Sequence, residues 1–264
     1  MEKIYNYCVI DCQFNDWNRM VLTHPDIKSL KNISEIVTIE NPKIIVLDIR
    51  DRERYIDDEK GIFKTDMKSI EILNDKCIFA KYMMDKFPKN IPQTIFIKKN
   101  VEINYSKYDQ KQQKMIKKNA IGYAGYGISI INNLEEAIKQ DNIVVSEYIE
   151  HETFYSGHFL INKGIIIEQI YFESSTNGDK SFIQKSSIKN YKIITVDELG
   201  EKSDIKIFDE IFKDLNYSGF ACPNFIIVNK NIIIFEINPR VGGSLMNNTQ
   251  YFKQFFDRIV NDQL

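Results

Sequence analysis

The apolar residues of this chain fall into short runs that predict strands and into wider spacings that predict helices. In the first third, the runs YNYCVID, EIVTI and KIIVLDIR are rich in β-branched and aromatic residues, and polar segments that contain prolines separate them. Residues 68–87 then place apolar side chains at helical spacing, and Pro88 ends that pattern. We therefore expect a small parallel α/β unit that leads into a helix.

Beyond this helix the pattern is dominated by short β-branched and aromatic runs, which predict strands. The predicted elements, in chain order, are strands at 93–97, 128–131 and 143–149 with a helix at 134–140, a hairpin of 154–161 and 164–173 followed by a polar loop at 174–181, a helix at 205–215 and strands at 225–228 and 232–237. The second part of the chain is therefore expected to be α+β, with antiparallel pairs joined by tight turns.

Composition and charge exclude several classes of function. The chain has 264 residues, with 35 Lys+Arg against 37 Asp+Glu and a net charge of −2. This balance argues against a nucleic-acid partner, because proteins that bind nucleic acids usually carry a positive excess. No apolar stretch reaches the roughly 20 residues that a membrane span needs. The start of the chain lacks the pattern of a secretory signal, so we expect a cytoplasmic protein without a membrane partner.

Cysteine and histidine give little support to a soft-metal site. The 4 cysteines include no CxxC pair, and we expect them to be thiols that form neither a metal site nor disulfides. His151 and His158 are close in sequence, within a predicted strand region. A metal pair there is one interpretation, and two ordinary, partly buried histidines are the favoured one.

The segment IIIFEINPRVGGS, residues 232–244, carries the most specific chemistry. Glu236 and Asn238 are two residues apart at a strand end, so their side chains point to the same face. Their oxygen atoms suit a hard divalent cation. Arg240 adds a fixed positive charge, and Gly242 and the glycine after it permit close approach of the backbone. On residue chemistry alone, a strand that ends in a solvated Pro/Gly turn explains the segment equally well.

A second segment, KKNAIGYAGYGISII at residues 117–131, combines paired lysines with three glycines. Gly122, Gly125 and Gly127 lie between two strand-like arms, where backbone N–H groups can surround phosphate oxygens. A lysine on the preceding strand would add positive charge. The spacing differs from that of a P-loop, in which the lysine follows the glycines and opens a helix. Without further context, a plain hairpin turn is the simpler explanation.

Taken in order, these segments resemble the ATP-grasp superfamily, in particular its carbamoyl-phosphate-synthase-like ATP-grasp domains and its carboxylate-amine and carboxylate-thiol ligases. The resemblance runs from about residue 75 to the end of the chain. It rests on four motifs, which here read NDK at 74–76, KNAIG at 118–122, VVSEYI at 144–149 and EINPRVGGS at 236–244. The last motif is highly specific, and the others gain weight from their order.

The resemblance implies an α/β (α+β) fold in which two lobes clasp ATP. Residues 1–75 would form an N-terminal parallel α/β unit that precedes the ATP-grasp domain of residues 76–264. Within that domain, residues of about 90–148 would form the nucleotide lid lobe, and 149–264 the C-terminal metal-binding lobe. Dimers are common in the family, so a homodimer is one expectation.

The resemblance further implies which residues bind ATP. Lys76 and Lys118 would hold the α- and β-phosphates, and the loop with Gly122, Gly125 and Gly127 would close over the triphosphate. The hinge would line the adenine, and the acidic residue after it would contact the ribose. In this chain the implied hinge residues and ribose contact are Glu147, Tyr148, Ile149 and Glu152.

For the metal, the resemblance implies Mg²⁺ or Mn²⁺ held by Glu236 and Asn238. Relatives usually carry a further acidic ligand on the preceding strand, and the corresponding residue here is Asn224. This departure leaves it open whether one or two ions bind. Arg240 would stabilise the transferred phosphoryl group, and together with Lys118 it is the implied catalytic residue.

The implied activity is that of an ATP-dependent ligase. Such an enzyme activates a small-molecule carboxylate as an acyl-phosphate, which an amine substrate then attacks to form an amide or peptide-like bond. A small-molecule kinase of the same fold is an alternative. A third hypothesis is an ATP-binding module with weakened catalysis, which the amide at Asn224 favours.

Overall fold

The computed structural model describes residues 7–10, 27–30, 43–45, 62–63, 65–97, 114–122, 127–134, 137, 141–175, 191–246 and 248–261. The N-terminal part contains a three-stranded sheet in the order β2-β1-β3, with both pairs parallel. Its strands are β1 (Tyr7–Ile10), β2 (Ile27–Leu30) and β3 (Lys43–Ile45). The parallel arrangement confirms the sequence prediction, although β2 was not predicted and the run EIVTI lies outside the described residues.

Two helices follow where the spacing predicted one. α1 (Met67–Asn74) and α2 (Lys76–Lys86) are separated by Asp75, whose backbone is extended. The Asp75 carboxylate accepts hydrogen bonds from the backbone N–H groups of Cys77 and Ile78, at 2.8 and 3.2 Å. Asp75 therefore caps a new helix instead of continuing the old one, and the prediction of a single helix over residues 68–87 was wrong.

A four-stranded antiparallel sheet, which we call the lid sheet, comes next. It consists of β4 (Thr94–Ile97), β5 (Met115–Asn119), β6 (Ile128–Ile131) and β7 (Ile143–Glu147) in the order β4-β7-β5-β6. Its apolar side chains form their own cluster around Ile95, Ile131 and Val145. The helix predicted at 134–140 lies mostly outside the described residues.

The C-terminal half is built on a five-stranded antiparallel sheet in the order β10-β9-β8-β11-β12. The predicted hairpin is confirmed, and its two strands turn at Lys163 and Gly164, which both have positive φ. The elements of this half are β8 (Thr153–Asn162), β9 (Ile165–Ser175), β10 (Tyr191–Ile194), α3 (Val196–Lys202), α4 (Lys206–Asp214), β11 (Gly219–Val228), β12 (Asn231–Asn238), α5 (Gly243–Met246) and α6 (Thr249–Val260).

The five-stranded sheet separates two apolar cores. One face packs against the helices α1 to α4 through rings such as Phe159, Phe208 and Phe225. The other face packs against α6, and the same cluster includes Ile45 of β3. The N-terminal sheet and the C-terminal helix therefore share one core. Neither α3 nor α6 was predicted from the sequence.

Two smaller findings complete the fold. Cys77 and Cys222 are buried and neither forms a disulfide, as predicted for both, whereas Cys12 lies outside the described residues. Among the helices of the described residues, none is long and apolar enough to cross a membrane.

Candidate active site

The pairing of β11 with β12 builds one wall of a polar cleft. Asn224 lies opposite Glu236, and Cys222 lies opposite Asn238. Because directly opposed residues of an antiparallel pair point to the same side, these four side chains share one face of the sheet. The prediction that Glu236 and Asn238 lie on the same face is therefore confirmed.

A β-bulge next to Glu236 changes the direction of the neighbouring side chain. Phe225 pairs with Ile234 while Asn224 pairs with Glu236, so Phe235 is an extra residue on β12. Its ring lies nearly parallel to that of Phe154 on β8, with the centroids 6.3 Å apart and an interplanar angle of 10°. His151 lies against both rings. The bulge thus places an aromatic wall directly beside the predicted metal ligand.

Lys76 reaches this cleft from the first residue of α2. The Asp75 cap fixes where the helix begins and hence where Lys76 lies. The Lys76 Nζ lies 3.5 Å from Oε2 of Glu236, and it donates a hydrogen bond to the backbone carbonyl of Gly122 at 3.3 Å. Lys76 is one of the few buried charged residues among those described. Through its two contacts it connects Gly122 to Glu236 on β12.

Lys118 reaches the same cleft from β5 of the lid sheet. Its Nζ lies 5.1 Å from the centroid of the Phe235 ring, within the range of a cation–π contact. Burial lowers the pKa of Lys118 to about 8, with a further lowering by Lys76, while the negative charge of Glu236 opposes the change. Lys118 is thus a cation at neutral pH that loses its charge in mildly alkaline solution.

Glu236 is the acidic centre of the cluster. Burial opposes its ionisation, but Lys76 and Lys118, with hydrogen bonds from two amides, outweigh burial and lower the pKa of Glu236 to about 2. The amides are those of Asn224 and Asn238, whose Nδ2 atoms donate to Oε1 of Glu236 at 2.8 and 3.1 Å. Glu236 is therefore ionised at neutral pH.

Arg240 follows at the end of β12. Its guanidinium donates to Oδ1 of Asn238 at 3.4 Å and to the backbone carbonyl of Val241 at 3.3 Å. The backbone N–H of Arg240 donates to the carbonyl of Asn238 at 2.8 Å, which makes the chain turn sharply after the strand. The guanidinium therefore stays beside the predicted metal ligands.

The segment after Arg240 packs closely on the sheet. A methyl group at Gly242 would overlap Sγ of Cys222 and the ring of His158, so this position has no room for a side chain. His158 is 1% exposed, and its Nε2 lies 2.7 Å from Oγ of Ser244. Burial, reinforced by the charge of Arg240, lowers the pKa of His158 to about 3, so its ring is neutral.

The structure describes two of the three predicted loop glycines. Gly122 accepts the hydrogen bond from Lys76, and Gly127 has a φ of 77°. The Asn119 side chain fills the space next to Gly127, where a Cβ would overlap it. Gly125 lies outside the described residues.

The predicted hinge connects the lid sheet to β8. The Glu147 side chain accepts from the backbone N–H of Gln93 at 3.0 Å, and the Tyr148 N–H donates to the carbonyl of Lys114 at 3.0 Å. Nδ1 of His151 donates to the carbonyl of Ile149 at 2.6 Å. Parts of the hinge backbone therefore hold the lid sheet and the aromatic wall in place.

Glu152, the predicted ribose contact, is exposed and lines a recess of 710 Å³ that His151 of the aromatic wall also lines. Tyr155, Lys202 and the turn at 229–230 also line this recess. The structure thus brings Lys76, Lys118, Asn224, Glu236, Asn238 and Arg240 together, and Glu152 lies beside the aromatic wall, where its contact with a ribose stays a prediction.

Sequence reasoning missed several residues of the cleft. The aromatic wall of His151, Phe154 and Phe235 depends on the bulge, although Phe235 directly precedes Glu236 in the sequence. The contacts of Ser156 and His158 depend on the pairing of β8 with β11, for which the sequence offers no local signal. The two histidines have different surroundings, since His151 lies against the rings of Phe154 and Phe235 and His158 is buried beside Ser244.

A sequence model of the ATP-grasp domain matches residues 73–244, the segment that contains every described residue of this cleft cluster. The chain belongs to the ATP-grasp superfamily. The match begins at α1 and ends at Ser244, so it includes all four motifs. No curated protein sequence matches the chain.

Solved ATP-grasp structures show the same fold. D-alanine–D-alanine ligase from Bacillus anthracis superposes with a TM-score of 0.66 at 15% identity, over 97% of this chain and 96% of that one. Phosphoribosylamine–glycine ligase from Thermotoga maritima gives 0.62 at 13% identity, over 93% and 73%. L-amino acid ligase from Bacillus licheniformis gives 0.61 at 12% identity, over 95% and 70%. The predicted ATP-grasp fold is therefore confirmed.

The residues of the cleft fit a hard divalent cation that is held only partly by the protein. The described residues contain no group of three His, Cys, Asp or Glu side chains that could hold a metal ion. Glu236 is ionised and has an amide-bearing neighbour on the same face, which is the type of donor set that Mg²⁺ uses when it keeps water and phosphate ligands.

Proposed function

We propose that this protein is an ATP-dependent ligase that activates a small-molecule carboxylate as an acyl-phosphate and joins it to an amine. The observation that carries the proposal is the convergence of cations on one carboxylate. Lys76 from α2 and Lys118 from the lid sheet both approach Glu236 of the C-terminal sheet. Phosphoryl transfer depends mainly on position and charge, and this cleft supplies both.

The nucleotide would lie between the lid sheet and β12. The aromatic wall of His151, Phe154 and Phe235 would give the purine base an apolar surface to pack against. Lys118 is held above the Phe235 ring, next to Lys76, so both cations are available to phosphate oxygens. Gly122 borders the same space, and the loop that begins there would cover the phosphates.

Glu236 and Asn238 would hold Mg²⁺ in this site. When bound, the ion would neutralise phosphate charge and thereby make the terminal phosphorus more open to attack. Arg240 lies directly after these ligands, where its guanidinium would stabilise the negative charge on the transferred group and on the carboxylate that accepts it.

Two other activities of this fold remain as second candidates. A kinase would use the same cleft but stop at a stable phosphorylated product. A binding module with weakened catalysis is favoured by one observation, the neutral Asn224 opposite Glu236. A trapping reagent separates the three hypotheses, because hydroxylamine converts an acyl-phosphate to a hydroxamate and leaves a phosphorylated alcohol unchanged.

The proposal is tested by measuring ADP release with ATP, Mg²⁺ and a panel of amino acids and small carboxylic acids, with and without hydroxylamine. A ligase should release ADP only when a carboxylate is present, and hydroxylamine should trap that carboxylate as a hydroxamate. ADP release without hydroxamate would support the kinase. ATP binding without ADP release across the panel would support the binding module and contradict the ligase.

Glu236→Gln provides the site control for this assay. The substitution keeps the shape of the side chain and removes its charge, so we expect turnover to fall by roughly 100-fold or more. Glu210→Gln changes an exposed carboxylate on α4 and should leave turnover as in the wild type. Equal turnover of the two variants would contradict the role given to Glu236.

A further inference from the structure

A row of polar side chains crosses three neighbouring strands beside the predicted metal ligands. Ser156 on β8 pairs with Asn224 on β11, which in turn pairs with Glu236 on β12. The Ser156 hydroxyl lies 3.0 Å from Oδ1 of Asn224, and Nδ2 of Asn224 lies 2.8 Å from Oε1 of Glu236. Asn224 is thus bonded at both ends of its amide, between a hydroxyl group and a carboxylate.

Hydrogen-bond chemistry decides which way this amide points. A carboxylate that has lost its proton can only accept, so the atom of Asn224 that faces Glu236 must be the NH₂ group. If the amide were reversed, Oδ1 would face Oε1 with no hydrogen atom between them. The carbonyl oxygen of Asn224 is therefore turned away from Glu236 and is bonded to Ser156, which donates its hydroxyl hydrogen.

Asn238 differs from Asn224 in this respect. Its Nδ2 also donates to Glu236, but at 3.1 Å, and its Oδ1 accepts only a long contact of 3.4 Å from Arg240. Its second donor contact, to the carbonyl of Cys222, is 3.4 Å long as well. The Asn238 amide therefore has one good hydrogen bond, from its NH₂ group to Glu236, and only a long contact at Oδ1, whereas both ends of the Asn224 amide make hydrogen bonds of 3.0 Å or shorter.

The charges around the cleft also bear on how many cations it can bind. Within the described part of the site, Lys76 and Lys118 act on a single carboxylate, Glu236, and Arg240 contacts its neighbour Asn238. One dication bound with a nucleotide brings a net negative complex into this cationic surrounding. A second dication would add positive charge without a second carboxylate to offset it.

We propose that this cleft binds a single divalent cation per nucleotide, held by Glu236 and Asn238, and that the Asn224 amide is a fixed hydrogen-bond donor that takes the place of a second ion. The inference rests on the proposed function, since it requires that a nucleotide binds here. The Asn224 amide donates a hydrogen bond to Oε1 of Glu236. A carboxylate at the position of Asn224 would instead offer an oxygen ligand to a second cation. The ion count is thereby limited by an amide whose orientation is set by Glu236 and supported by the hydrogen bond from Ser156.

The test counts bound ions with Mn²⁺ and a non-hydrolysable ATP analogue that carries an imido group between its β- and γ-phosphates. Free Mn²⁺ is measured by electron paramagnetic resonance, and bound nucleotide is measured in the same sample after equilibrium dialysis. We expect about one Mn²⁺ per bound nucleotide in the wild type. Asn224→Asp should raise this ratio to about two, because it replaces the donor with a second carboxylate.

Asn224→Ala is the matched control, because it removes the amide without adding a charge, and its ratio should stay near one. Circular dichroism checks that each variant is folded, and the wild-type ratio decides the question even if Asn224→Asp fails to fold. Two ions per nucleotide in the wild type, or an unchanged ratio in a folded Asn224→Asp variant, would overturn the inference alone. A protein that binds no nucleotide would overturn the proposed function, and the inference with it.

Discussion

At the scale of single residues, the function of the cleft depends on how each charge is positioned by its neighbours. Lys118 shows this most clearly, because it is partly buried beside Lys76 and over an aromatic ring. Burial lowers its pKa to about 8, so the side chain is charged at neutral pH and loses its charge in mildly alkaline solution. A bound triphosphate would stabilise the charged form and raise the pKa again.

Nucleotide affinity should therefore depend on pH. Below pH 8, Lys118 is protonated before binding, and above pH 8 the protein must take up a proton in order to bind. We expect the Kd for a non-hydrolysable ATP analogue to rise by up to about tenfold per pH unit above pH 8. Lys118→Arg should remove this dependence, because a guanidinium stays charged throughout the range. Calorimetric titrations between pH 7 and 9.5 provide the measurement, and a parallel pH profile of both proteins would contradict the role of Lys118.

Gly242 allows a second test at this scale. A methyl group there would overlap Cys222 and His158, and we expect Gly242→Ala to lower the free energy of unfolding by about 1–3 kcal/mol. Gly200→Ala is the control, since nothing lies within 4 Å of its missing Cβ and the residue sits inside α3. That change should raise stability by about 0.5–1 kcal/mol. Urea denaturation measures both, and a neutral Gly242→Ala would mean that the segment after β12 is loosely packed.

The sequence could predict those residue features that follow from local spacing. Glu236 and Asn238 share a face because every second residue of a strand does. The direction of the Asn224 amide was not predictable, because it depends on how β11 pairs with β12, which brings the NH₂ group to Glu236, and with β8, which brings in Ser156 from 68 positions earlier in the chain. The position of the Phe235 side chain could not be predicted either, because a bulge depends on how two strands pair.

At the scale of secondary-structure elements, the break between α1 and α2 has the largest effect on the site. Helical spacing runs through residues 68–87, but an aspartate that caps a helix overrides that spacing at Asp75. The reverse error occurred at the C-terminus. The buried positions of α6, which include Phe252, Phe255 and Phe256, follow helical spacing, yet this helix was not predicted.

Removal of the Asp75 cap should affect both stability and ligand binding. Asp75→Ala deletes the acceptor for two backbone N–H groups, so we expect a loss of about 1 kcal/mol in the free energy of unfolding. Since α2 begins at Lys76, nucleotide affinity should fall as well. Asp66→Ala removes the comparable cap of α1 and should cost similar stability without a change in the Kd. Equal Kd values for the two variants would show that the cap does not position Lys76.

At the scale of the whole molecule, the cores divide the chain into parts that are joined to different degrees. The N-terminal sheet shares a core with α6 and the C-terminal sheet, through residues such as Ile45 and Phe256. The lid sheet has a core of its own, and a small cluster around Cys77 and Val144 joins it to α2. The sequence predicted a lid lobe by resemblance, but this division of cores follows only from the folded structure.

A nucleotide that contacts both Lys118 and Glu236 would connect the lid sheet to the C-terminal sheet. At a ligand concentration of about 100 times the Kd, openings that release the ligand should become about 100-fold rarer. We therefore expect amide hydrogen exchange to slow by up to that factor in β5 and β6, and much less in the interior of β8 and β11. Mass spectrometry of exchange with and without the ATP analogue tests this, and a uniform slowing of all strands would argue against a separately moving lid.

The close packing of Gly242 on Cys222 has a consequence for how the ligand preference of this protein could change. Cys222 lies beneath the segment that carries Arg240 and Ser244, so its volume sets the height of that segment above the sheet. A larger side chain at this position would lift the segment and a smaller one would let it sink. Substitutions in the supporting sheet could thus change the ligand preference even when every residue exposed in the cleft is unchanged.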